Sequence, residues 1–287
     1  MNYSRIIAGV MTWGNWGKKF SKNEMSDLIH FCFDEGITTF DHADIYGGYT
    51  TESDFGNALS ESKIARESIQ LISKCGIQYV CDNRDNKIKH YNYSKDYIIW
   101  SAETSLKNLK TDYLDLFLLH RPSPLMHPDE IASAISQLKQ QGKIKTFGVS
   151  NFTPSQVEMI SKTTDISVNQ IEFSLTHLDP MYDGTLDQMI TKQITPMAWS
   201  PLGSIFKEES EQIQRIKKQL GDLTSTYNAT QDQLLLAWIL RHPSKIHPVI
   251  GTTTKERIKD AVKAVEINLN LEDWFFILSA SQGHKVP

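Results

Sequence analysis

Long apolar runs are missing from this chain. None approaches the roughly 18–20 residues that a membrane span requires, and the N-terminus lacks the pattern of a secretory leader. No Gly-x-Gly-x-x-Gly follows the first apolar segment, which counts against an open doubly wound sheet holding a dinucleotide at its first turn. Basic charge is not in excess. Thirty Lys and Arg against 34 Asp and Glu leave a formal net charge of −4, which argues against a general nucleic-acid binder. Cysteine is scarce and odd in number, three in 287 residues (Cys32, Cys75 and Cys81) and without zinc-type spacing. A reduced, cytoplasmic protein is therefore expected. No Gly-, Pro- or Ser-rich linker divides the chain, and no exposed apolar stripe marks an oligomer interface, so a monomer is the default. The hydrophobic share of 40% and charged share of 22% are those of a folded domain rather than a disordered segment.

What the chain does have is a regular alternation. Short runs rich in β-branched and apolar residues fall at 5–11, 37–40, 69–73, 113–119, 144–149, 167–171, 194–198 and 246–250. Helical patterns lie between them, with explicit start signals. Ser21-Lys-Asn-Glu24 is a capping box opening a helix to about Glu35, with Gly36 just past its end. Thr153-Pro-Ser-Gln156 repeats the device with Pro154 at the first helical position, and Thr230-Gln-Asp-Gln233 opens a helix through Trp238. Eight such units predict an α/β chain closed into a (β/α)₈ (TIM) barrel, one domain over residues 1–287. An extra helix is expected at 208–220, after the seventh strand, and another at 271–281. The segment 76–93 is too long for a plain connection. It is either a substrate loop, contributing Tyr79, or a structural one.

Residues at the C-terminal ends of barrel strands converge on one mouth. Asp41 ends the second predicted strand, and Tyr46 lies on the adjoining loop closed by Gly47 and Gly48. Lys74 closes the third strand and His120 the fourth. A carboxylate, phenol, amine and imidazole so placed can protonate a carbonyl oxygen. Tyr46 donates the proton, Lys74 depresses its pKa, Asp41 holds Lys74, and His120 orients the carbonyl or shares the proton. Ser150, Asn151 and Gln170, at the ends of strands five and six, offer donors and acceptors for a carboxamide. Trp199 offers a flat face for a nicotinamide ring. The turn Ser200-Pro-Leu202-Gly203 and the segment Gly251-Thr252-Thr253, ahead of a helix carrying Arg257, form the phosphate side. In this order they suggest a nicotinamide dinucleotide laid across the mouth.

At these positions the chain resembles the aldo-keto reductase superfamily. The matching pieces are Asp-His-Ala-Asp-Ile-Tyr-Gly (41–47), Ser-Lys-Cys-Gly (73–76), Tyr-Leu-Asp-Leu-Phe-Leu-Leu-His-Arg-Pro (113–122) and Gly-Lys-Ile-Lys-Thr-Phe-Gly-Val-Ser-Asn-Phe (142–152). Ala-Trp-Ser-Pro-Leu-Gly (198–203) and Ile-Gly-Thr-Thr-Thr-Lys-Glu-Arg (250–257) complete the set. The chain is similar in particular to the bacterial oxidoreductases of that superfamily carrying Asp-His-Ala-Asp-Ile-Tyr-Gly-Gly. The resemblance implies a barrel that reduces aldehydes or ketones with NADPH, NADH being possible, and a catalytic tetrad of Asp41, Tyr46, Lys74 and His120. Carboxamide contacts fall on Ser150, Asn151 and Gln170, and the stacking aromatic on Trp199. Gly251 stands where the family often has a lysine for the 2′-phosphate, a task left to Thr252 and Arg257. The first ten residues are too few for the family's usual hairpin under the barrel, so its lower end is open or covered differently.

The substrate is expected to be a small carbonyl compound, with Trp13 lining its pocket and Trp16 left undecided. Two other readings stay open: a cofactor-binding regulatory module with slow turnover, and a metal-dependent hydrolase built on Asp41, His42 and Asp44. The C-terminal His284–Pro287 forms either a lid or a frayed end.

Overall fold

Each helix start is built from the residues that signal it. Ser21 caps helix Lys22–Asp34, its hydroxyl accepting from the Glu24 N–H while Glu24 returns to the Ser21 backbone. Gln156 and Gln233 reach back to the backbone N–H of Thr153 and Thr230 at 3.0 and 2.9 Å. These reciprocal bonds satisfy N–H groups that a helix otherwise leaves unpaired. The computed structural model describes residues 3–285, so the end of the expected lid His284–Pro287 lies outside the described residues.

Among the described residues ten strands follow in chain order: β1 (Ile7–Gly9), β2 (Thr39–Asp41), β3 (Gln70–Cys75), β4 (Ile77–Gln78), β5 (His90–Tyr91), β6 (Leu114–Leu119), β7 (Ile144–Ser150), β8 (Val168–Glu172), β9 (Thr195–Trp199) and β10 (His247–Ile250). Eight of them close into a barrel in the order β1-β10-β9-β8-β7-β6-β3-β2, every pair parallel. The remaining two, β4 and β5, pair antiparallel within segment 76–93. That segment is therefore a small ordered ribbon standing after β3. The extra helix runs Glu211–Tyr227, later than expected, because Ser210 supplies its N-cap and Asn228 ends it in the left-handed region. The last helix, Leu271–Gln282, follows the sequence reading closely.

Side chains alternate along a strand, so interior positions can be counted upward. Ile7, Ile72, Leu116, Leu118, Val168, Met197 and Val249 form a buried cluster of their own, the filling of the barrel. Two residues further along their strands come Lys74, His120, Gln170, Trp199 and Gly251. The period that buries Ile72 thus delivers Lys74 to the mouth. Tyr3 packs against the same cluster from below, its hydroxyl 3.3 Å from Thr146 Oγ1 and its ring edge-on to His247.

Candidate active site

Lys74 is the hub. It is 0% exposed, and its Nζ donates to Asp41 Oδ2 at 2.8 Å, to the His42 carbonyl at 2.8 Å and to the Tyr46 hydroxyl at 3.1 Å. The other oxygen of Asp41, Oδ1, accepts from Gln170 Nε2 at 3.0 Å. His120 lies beside the phenol, the two rings 6.0 Å apart at 78°. The four tetrad positions read from sequence therefore come together in one cluster. Gly47 and Gly48, with φ of 64° and 69°, make the turn that follows Tyr46. A side chain at Gly47 would run into Thr50 and Thr51.

The electrostatics differ from the sequence reading at one point. Lys74 does pull the Tyr46 pKa down, but burial of the phenol outweighs it and the net direction is upward. Tyr46 keeps its proton in this state. Burial works against the Lys74 ammonium in turn, yet Asp41 and Tyr46 together raise its pKa. Burial, followed by the Lys74, Arg121 and Lys89 charges, holds the His120 pKa well below its ordinary value, so the imidazole is neutral. Its Nδ1 is enclosed without a hydrogen-bond partner.

Beyond the tetrad, Trp199 Nε1 donates to Asn151 Oδ1 at 2.9 Å, and Asn151 Nδ2 donates to Ser150 Oγ at 2.7 Å. The three side chains form one linked row at the ends of β7 and β9. Asn151 and Ser200, immediately after those strands, have φ of 60° and 50°. Residues with a Cβ adopt that region rarely, and such positions cluster at ligand-binding sites. The turn at 200–203 closes with the Gly203 N–H donating to the Ser200 carbonyl at 2.8 Å, with Leu202 inside it. Across the mouth, helix Lys255–Lys263 has no side-chain cap from Thr254, so its first N–H groups are open to an anion. Thr252 Oγ1 accepts from the Thr254 N–H, Thr253 is half-buried, and Arg257 is exposed with no ion pair among the described residues. These donors suit the phosphates of a dinucleotide. A Cβ built at Gly251 meets nothing within 4 Å, so the site has room for a longer side chain there.

One pocket assignment changes. Trp13 is 0% exposed, wedged between Phe40 and Phe55 with ring centroids 6.3 and 6.0 Å away, and so lies in the core rather than lining a pocket. Trp16 takes the rim instead. It is 37% exposed, 6.2 Å from the Tyr46 ring and 5.3 Å from the Tyr79 ring. Both tryptophans follow β1, and only tertiary packing separates them. Arg121, half-buried beside His120, had no signal in the sequence beyond its neighbour. The metal reading loses its ligands: both Asp41 oxygens are engaged by Lys74 and Gln170. His42 packs edge-on to Phe55 at 4.3 Å, and burial with the Lys74 charge holds its pKa down to about 3.

Asp44 faces away from the mouth, into a cavity of about 220 Å³ shared with Glu52, Arg84, Ser101 and Asn108. Its Oδ2 accepts from Ser101 at 3.1 Å, while Oδ1 has no partner. Burial, and next the Glu52 charge, push its pKa up to about 8. Folding therefore takes up a proton between the ordinary carboxyl value of about 4 and that raised value, and stability is lost as pH rises through this window. Asp44→Asn, which mimics the protonated acid, should melt progressively higher than wild type as pH goes from 5 to 9. A melting-temperature difference flat with pH would contradict the assignment.

Comparison with known proteins identifies the family. A sequence profile described as the aldo/keto reductase family matches residues 5–280. The oxidoreductase YcsN of Bacillus subtilis (strain 168) is 43% identical, covering 100% of this chain and 97% of its own. A 6-dehydroglucose reductase of Agrobacterium fabrum (strain C58) is 36% identical over 100% of this chain and 97% of its own. Among solved structures, the thermostable aldo-keto reductase Tm1743, crystallised with the inhibitor epalrestat, superposes with a TM-score of 0.82. It is 29% identical, with 96% of this chain and 94% of that one covered.

Proposed function

Because the chain belongs to the aldo/keto reductase family of oxidoreductases, we propose that it reduces an aldehyde or ketone to the alcohol with NADPH, Tyr46 acting as general acid. The observation that carries this reading is the Lys74 ammonium bonded at once to Asp41 and to the Tyr46 hydroxyl. When bound, the cofactor supplies the hydride that adds to the carbonyl carbon.

The chain's own residues do the rest. Tyr46 donates its proton to the carbonyl oxygen as negative charge gathers there, and Lys74 stabilises the phenolate left behind. Asp41 keeps Lys74 charged and aimed, and Gln170 in turn fixes Asp41. Neutral His120 orients the carbonyl through a hydrogen bond without competing as an acid. For alcohol oxidation the same groups act in reverse. Ser150, Asn151 and Gln170 would hold the carboxamide, with Trp199 under the ring. The turn at Ser200, Leu202 and Gly203 and the segment Gly251, Thr252 and Thr253 would take the phosphates, and Arg257 the 2′-phosphate. The related 6-dehydroglucose reductase is named for a carbonyl reduction of this kind.

Titration of tryptophan emission with NADPH and NADH tests the cofactor, and turnover of simple aldehydes tests the reaction. Arg257→Ala should weaken NADPH binding about tenfold or more, the worth of a charge-assisted hydrogen-bond pair, with NADH affected little. Gly251→Lys, entering open space, should tighten NADPH selectively. Equal effects on the two cofactors would remove the 2′-phosphate from this corner. Tight cofactor binding with negligible turnover on several carbonyls would make the chain a regulatory module instead.

A further inference from the structure

The mouth carries a cation that the proposed reaction does not use. Arg121 directly follows His120, and its backbone is pinned on both sides by one phenol. The Tyr93 hydroxyl donates to the Arg121 carbonyl at 2.5 Å and accepts from the Arg121 N–H at 3.2 Å. Tyr93 is itself seated over Gly76, where any side chain would run into its ring. The guanidinium lies over the Trp199 ring, 5.1 Å from its centroid. It is half-buried, yet it makes no ion pair and finds no hydrogen-bond acceptor among the described residues. Glu172, which pairs in register with Trp199, does not reach it.

A guanidinium carries five donors in a rigid fork, and a partly desolvated one is ordinarily matched by a carboxylate or by carbonyl oxygens. Arg66 shows the matched case, paired to Asp115 at 2.7 Å and bonded to two backbone carbonyls. Arg121 instead leaves an unmatched positive charge over Trp199, near enough to Tyr46 and His120 to pull on both their pKa values. Lys89, on the ribbon loop after β4, adds a second charge felt at His120. Trp16 and Tyr79 supply the apolar side of the same rim.

We propose that Arg121 is a specificity-determining residue that selects carbonyl substrates bearing an anionic oxygen group, a carboxylate, sulfonate or phosphonate, on the side of the molecule away from the reacting carbonyl. The assignment rests on the carbonyl-reductase reading above. The anion takes the place of the missing counter-ion, and its paired bonds to the fork fix the orientation of the carbonyl toward Tyr46. The aromatic rim holds the body between the two ends.

The test uses the full chain with NADPH and a matched series of benzaldehydes carrying para-methyl, para-carboxylate, para-sulfonate or para-phosphonate groups. Wild type should show a kcat/KM ratio of anionic to methyl substrate of about tenfold or more, the usual worth of a charge-assisted pair. Arg121→Gln should collapse that ratio towards one, and Arg121→Lys should keep a good part of it. The anion that gives the largest ratio names the source. NADPH affinity, read by fluorescence, should change far less than the substrate ratio in Arg121→Gln, because the Trp199 ring is the one assigned cofactor contact that the guanidinium is seen to touch. A wild-type ratio near one overturns the inference while leaving the reductase reading intact. A matching loss of NADPH affinity overturns it too, by moving Arg121 to the cofactor. Absence of turnover on every aldehyde, the methyl compound included, is the separate result that defeats the reading itself.

Discussion

Tyr46→Phe is expected to lower kcat for aldehyde reduction by about a thousandfold, inside the range that a positioned proton donor contributes. The substitution removes one oxygen and little else. The ring keeps its contacts with Trp16 and His120, and Lys74 keeps two of its three acceptors, Asp41 and the His42 carbonyl. The fold should therefore lose only about 1 kcal/mol, the net worth of one hydrogen bond. NADPH affinity should stay within about twofold, since no assigned cofactor contact involves the hydroxyl. The measurement is kcat alongside a fluorescence titration on the same preparation. Cofactor binding lost together with activity would make Tyr46 a structural residue; activity retained within tenfold would pass the proton to another group, with His120 the first candidate.

Lys74→Met should be the most damaging single change for stability at the site. Met fills much the same volume but leaves Asp41 buried, with Gln170 its one remaining side-chain partner. Breaking a buried ion pair by removing one member costs about 3–5 kcal/mol. For a chain of this size that is roughly 10 °C in melting temperature. Activity should fall with it, because the phenolate formed on proton donation would face an uncharged neighbour. The double variant Lys74→Met/Asp41→Asn separates the two effects. It removes the stranded carboxylate and should recover most of the lost stability while remaining inactive. Thermal denaturation of the wild type, both single variants and the double variant gives the coupling energy directly. If the double variant is no more stable than Lys74→Met, Asp41 is not stranded and the ion pair is not what holds this part of the barrel.

Much of the molecule could be read from local signals. The three capping boxes involve residues three positions apart, and they set helix starts wherever they occur. The strand period of two carries each interior row upward, so Ile72 implies Lys74, Leu118 implies His120 and Met197 implies Trp199. That is why Lys74, His120 and Trp199, far apart in sequence, could be assigned to one mouth, and why the order of the cofactor-facing residues followed the order of the strands.

What the sequence by itself determined was this order: eight strands, the helices between them and the side chains that crown the strands. Tertiary structure decided how those side chains behave. It put Trp13 in the core and Trp16 at the rim, although both follow the same strand. It let burial overrule the neighbouring ammonium at Tyr46, and it brought Gln170 to Asp41 across 129 positions. It also left Arg121 without an acid and packed Tyr3 against the filling of the barrel. Periodicity and caps are set by neighbours a few residues apart, whereas desolvation, charge pairing and van der Waals contact depend on which distant residues share a volume, and only the closed barrel brings them together.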